Sequence, residues 1–233
     1  MRRFHEAFHK PRTSDDGLTV IELLVAMLVL GVFSAFVVNL YVSATKSVAM
    51  SSSMNLNTRV AANAMDELTR VIRASGNNSL GGSLMESAVQ VATRENLTVY
   101  STVDASIPDL RPSKVEFAIN SSTRQLVERR WLAKNGVNSL WDFSGTLPLA
   151  SSRVLPGKYL TPPNADTDFF FTYFAADRVT ELKTNVGTTG LGEADRLLVA
   201  YIKVTIVVRN SDNANSAPVT ISNIVAMPNL PKK

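Results

Sequence analysis

The chain has no cysteine, and its only two histidines, His5 and His9, stand within the first seventeen residues. Without cysteine there is no disulfide, no lipid-anchor thiol and no thiolate metal site. Beyond residue 17 the lack of histidine removes Ser-His-Asp and Cys-His nucleophilic sites, His-ligated zinc and the H-E-x-x-H arrangement. No run of basic residues occurs either: the net charge of +4 and pI near 9.4 come from scattered Lys and Arg, so nucleic acid is possible but not indicated. Gly81-Gly82 and Gly190-x-Gly192 lack the spacing of a phosphate loop and read as turns. The paired acids Asp104 with Asp109 and Asp166 with Asp168 sit in no catalytic frame. Asn164-Ala165-Asp166-Thr167-Asp168 alternates oxygen ligands but lacks the Gly and the closing Glu of a calcium loop. No catalytic residue, cofactor, metal or small-molecule substrate is expected.

What the chain does have is a long apolar run. From Gly17 to Ala44 the one charged residue is Glu22. A helix from Leu18 to Ala44 would be roughly 40 Å long, enough to cross a hydrocarbon core of about 30 Å with some tilt. A secretory signal has its small-residue cleavage site after a short apolar region; here the polar residues 1–16 end in Gly17 and the apolar run follows. Arg2, Arg3, Lys10 and Arg12 precede the span and only Lys46 follows it closely, which places the N-terminus in the cytoplasm and the later residues outside.

Glu22 is the costly feature, because an unpaired acid in a membrane helix costs on the order of 2 to 3 kcal/mol or more. A cut between Gly17 and Leu18 would put Glu22 near the helix start, where the dipole favours an acid, and would create an amine able to neutralise Glu22 of another subunit. Gly17-Leu18-Thr19-Val20-Ile21-Glu22 with an apolar run behind it resembles the class III leader of type IV pilins and pseudopilins. The resemblance implies cleavage after Gly17 by a prepilin peptidase, N-methylation of Leu18, and subunit assembly through Glu22, Thr19 and Gly31. It implies as partners the other pilin or pseudopilin subunits, an inner-membrane assembly platform and membrane lipid. The chain departs from the family in having Leu18 where Phe is commonest, and Asn39 where many major pilins have Pro; Gly31 is then the helix-softening point.

Past the span, Met50, Met54, Asn57, Ala61, Ala64, Leu68 and Val71 recur at helical spacing, widened by Met65 and Ile72. This predicts one helix from about Leu18 to Ile72, softened near Ser51–Ser53, with Asp66 and Arg70 placed as an i, i+4 pair. Turn formers from Ser75 to Gly82 predict a flexible loop. Strands are expected at Ala88–Ala92, Leu97–Thr102, Lys114–Ile119, Gln125–Leu132, Asp168–Ala175, Arg196–Val208 and Pro218–Met227, the last two paired. Lys114–Ile119, the Asn120-Ser121-Ser122-Thr123 turn and Leu126–Trp131 read as a hairpin with one buried face. This hairpin is similar to that of the larger J-type or PilW-like minor pseudopilins. Gly136–Pro163 reads as an irregular packed insertion, with Trp131 and Trp141 as packing residues.

The expected architecture is therefore α+β, a long N-terminal helix packed on an antiparallel sheet. Its parts are a cleaved leader 1–17, a transmembrane assembly helix 18–44, an amphipathic continuation 45–74 and an extracytoplasmic strand-rich domain 75–233. Two functional readings remain: a minor pilin or pseudopilin subunit, or an uncleaved single-span protein presenting an extracellular binding or adhesion domain.

Overall fold

The computed structural model describes residues 19–82, 84–103, 111–136, 140–161, 169–183, 190–209 and 217–230. Residues 1–17, with the cleavage positions Gly17 and Leu18, lie outside these, as do the acid pairs Asp104/Asp109 and Asp166/Asp168. The chain forms two compact units, residues 1–48 and 49–233.

The first unit is helical. Helix α1 (Val20–Arg73) begins here, built from Leu, Ala, Met and Phe together with Val and Ile, whose modest helix propensity is offset by the length of the run. Every described residue from 19 to 52 is exposed. Among the described residues α1 is the one helix long and apolar enough to cross a membrane.

In the second unit α1 buries Asn57, Val60, Ala61, Ala64, Met65, Leu68, Val71 and Ile72, the stripe that the periodicity calls for. Met50 and Met54, expected at its upper end, are exposed by 53% and 52%. The covered face begins at Asn57, which is fully buried and whose Nδ2 donates to the Ala217 carbonyl oxygen at 2.9 Å. Arg70, expected opposite Asp66, reaches Glu67 at 2.8 Å.

After the helix, β1 (Asn78–Gly81) and β2 (Leu84–Glu86) form a short ribbon where a flexible loop was expected. Five strands follow in one antiparallel sheet: β3 (Val89–Ala92), β4 (Asn96–Ser101), β5 (Ser113–Ile119) and β6 (Leu126–Leu132), then, past a small ribbon of β7 (Lys134–Asn135) and β8 (Trp141–Asp142), β9 (Leu149–Leu155). The β5–β6 hairpin has the expected register, Ile119 opposite Leu126, and Asn120 Oδ1 accepts from the Ser122 and Thr123 amides to close its turn. A second antiparallel sheet holds β10 (Lys158–Tyr159), β11 (Phe171–Phe174), β12 (Glu181–Leu182), β13 (Tyr201–Arg209) and β14 (Val219–Ala226).

The region 136–163 is thus not irregular throughout, since β8, β9 and β10 lie in it. The strand expected from Arg196 begins at Tyr201, because a short helix α2 (Glu193–Arg196) and a following turn occupy its start and leave Leu198 exposed. One core joins α1 to both sheets, with Leu68, Ile72, Leu97, Phe117, Leu126, Phe171 and Ile202 at zero exposure. Tyr173 of β11 donates its hydroxyl to the Thr93 carbonyl between β3 and β4 at 2.8 Å, and burial pushes that phenol well above its ordinary range.

Candidate functional site

The start of α1 shows why Thr19 and Glu22 stand three apart. Thr19 is the N-cap: its carbonyl accepts the Leu23 amide at 3.2 Å, and its Oγ1 accepts the Glu22 amide at 3.3 Å. Glu22 reaches back, its Oε2 accepting from the Thr19 amide at 3.0 Å and the Thr19 hydroxyl at 2.9 Å. The two residues form a capping box, which satisfies orphan amides at both ends of the first turn. The acid expected to await another subunit's amine therefore has a partner in its own chain. Only Oε2 is engaged, and among the described residues Oε1 takes no hydrogen bond, so an amine could still approach it.

Gly31 lies more than two turns further along and is not brought near this cap. Among the described residues a Cβ built on it would meet no atom within 4 Å beyond its own helix backbone, so none of them demands glycine there. Ile21, Val25, Val29 and Phe33 share an exposed face with Glu22. The geometry is that of an apolar rod with one acid at its head.

A second constellation went unread in the sequence. Glu128 of β6 is 1% exposed and sits between Arg130 Nε at 2.5 Å and Arg153 Nη2 of β9 at 2.6 Å. Glu67 of α1 accepts from Arg130 at 2.7 Å, Arg153 at 2.8 Å and Arg70 at 2.8 Å. Burial raises the pKa of Glu67, but the Arg70 hydrogen bond and the charges of Arg153, Arg70 and Arg130 outweigh it and hold the carboxyl below its ordinary value. Two carboxylates and three guanidiniums thus tie the helix to the sheet. The signal was the triplet Glu128-Arg129-Arg130, whose alternation puts Arg129 outward against Glu116 and its neighbours inward.

A cleft of about 770 Å³ opens beside the end of α1, lined by Tyr100, Trp141, Phe143, Met85 and Pro228 among others. Tyr100 and Phe143 stack at 4.0 Å, and the Tyr100 hydroxyl donates to Glu86, burial and that acid raising its pKa. Among the described residues the lining carries no carboxylate and no basic side chain. Trp141 packs in this wall, whereas Trp131 lies on the outer face of β6 with Lys114 6.0 Å from its ring centre. Among the described residues no cluster of His, Cys, Asp or Glu could hold a metal ion.

No protein-family model and no curated protein matches the chain.

Proposed function

We propose that the chain is a prepilin-like subunit, a minor pilin or pseudopilin, cut after Gly17, N-methylated at Leu18 and carried by its apolar helix into a type IV pilus or a type II secretion-like pseudopilus. The observation that carries this reading is the exposed apolar rod whose helix starts at Val20 behind the Thr19 cap, with one acid in its first turn. A rod whose described residues are all exposed needs lipid and then neighbouring helices to cover it. Its work on this reading is assembly and not catalysis. The leader faces the cytoplasm and the domain lies outside. Prepilin peptidase processes the chain, and an assembly platform and other subunits receive it.

The N-terminus of the chain isolated from membranes tests the proposal: N-methyl-Leu18 is expected, and an intact Met1 overturns it. Replacing Gly17 by a bulky residue should leave the uncut precursor in the membrane. Glu22→Ala should still be processed but should enter assemblies poorly.

The Thr19–Glu22 cap favours one other reading, an uncleaved single-span protein presenting a binding or adhesion domain. There the acid would serve only the helix start, and Glu22→Ala would leave assembly partners unaffected.

A further inference from the structure

Sheet edges present unpaired backbone groups, and folded chains blunt them with shortness, charge, proline or bulges. Four edges in this domain are blunted. Strand β3 has four residues and a register shift between Val89 and Val91. Strand β9 has a shift beside Trp131 and carries Arg153. Strands β10 and β12 are two residues long and carry Lys158 and Glu181.

Strand β14 is different. It runs for eight residues, Val-Thr-Ile-Ser-Asn-Ile-Val-Ala, with no charge, no proline and an unbroken register against β13. Among the described strands it pairs with β13 alone. The Thr205 amide donates to the Phe170 carbonyl, and the Val207 carbonyl accepts the Leu160 amide, so the odd-numbered residues of β13 turn toward β11 and β10. Its even-numbered residues then bond β14 through Val225, Asn223 and Ile221, their register partners. By antiparallel alternation the N–H and C=O groups of Thr220, Ser222 and Ile224 point away from the sheet. Ser222, Asn223 and Ile224 are exposed in succession, so both faces of the edge are open at its centre.

We propose that β14 pairs edge to edge, antiparallel, with β14 of a second copy of this chain. An uncharged strand meets its own copy without a like-charge penalty, and antiparallel self-pairing is compatible with two-fold symmetry. On β13 the register partner of Ile224 is Lys203. The proposal is independent of cleavage at Gly17.

The absence of cysteine makes the test direct. Thr220→Cys, Ser222→Cys and Ile224→Cys are made singly in the full chain and oxidised mildly in its membrane, with Val179→Cys, 81% exposed in the turn after β11, as control. Residues facing each other across an antiparallel pair have Cβ atoms about 4.5–5.5 Å apart, close enough for a disulfide after slight adjustment. A disulfide-linked homodimer is expected from at least one edge position and not from the control. Adding a second outward edge substitution, Ser222→Pro to the Thr220→Cys and Ile224→Cys variants or Thr220→Pro to the Ser222→Cys variant, removes an outward N–H and spares the β13 ladder; it should abolish the dimer while the melting temperature stays near that of the parent. No dimer at any edge position, equal yield from Val179→Cys, a dimer that survives the added edge proline, or a cross-link only to a different protein would each overturn the proposal.

Discussion

Glu128 and Glu116 lie on opposite faces of the same hairpin and should respond very differently to removal. Glu128→Ala removes the buried carboxylate that both Arg130 and Arg153 engage, a loss of the kind that costs about 3–5 kcal/mol. Glu116→Ala breaks a pair with Arg129, which is 43% exposed, and should cost less than about 1 kcal/mol. Urea unfolding of the two variants checks this; equal losses would mean that the inner cluster does not hold the fold. Glu67 adds a pH dependence. Its folded pKa lies below the ordinary 4.5, so its contribution is complete above that ordinary value and is lost as pH falls below it and through the lower folded pKa. Urea midpoints followed downward from pH 6 should decline more steeply in the parent than in Glu67→Gln. The sequence hid this cluster because both faces of Leu126-Val127-Glu128-Arg129-Arg130-Trp131 carry an apolar and a charged residue. Alternation gave the strand but left open which face turned inward. The capping box, by contrast, was spelled out in Thr19-x-x-Glu22, although the acid drew attention as a contact between subunits before its local use.

Among the elements, helix α1 was the most legible, since a 3.6-residue period needs nothing from distant sequence. Its docked length was not, because where cover begins depends on how far the sheets reach. Leu68→Ala, at zero exposure, should cost about 2–5 kcal/mol, whereas Met54→Ala should change stability by less than about 0.5 kcal/mol. Thermal melts of the pair locate the upper limit of the docked face, and a large loss at Met54 would place it higher. Strand β9 was missed for a related reason: six of its seven residues are exposed, so it has no apolar alternation to read. The turn that follows it is fixed by close contact. Gly157 has φ of +103°, and a Cβ there would stand 2.8 Å from Val60 of the helix and 3.2 Å from Val208. Nothing local in Leu155-Pro156-Gly157-Lys158 reveals that crowding.

At the scale of the whole molecule, the sequence separated an apolar rod from a strand-rich domain, and the structure divides the chain after Val48. The expected antiparallel strands divide between two sheets that share one core with α1, in which Tyr159, Phe171, Tyr173 and Ile202 are buried; the pairing of distant strands is not encoded in local pattern. Among the described residues every member of the core lies between Val60 and Met227, and none belongs to the rod. The apolar surface whose burial drives the domain's folding therefore comes, among the described residues, from the second unit. A chain of residues 49–233 should express without detergent, show strand-type circular dichroism, and unfold in one cooperative transition. Its loss on Leu68→Ala should match that of the full chain, because that side chain packs only within the domain's core. A non-cooperative melt, or a loss of strand signal on removing residues 1–48, would show that the rod supplies part of the folding energy after all.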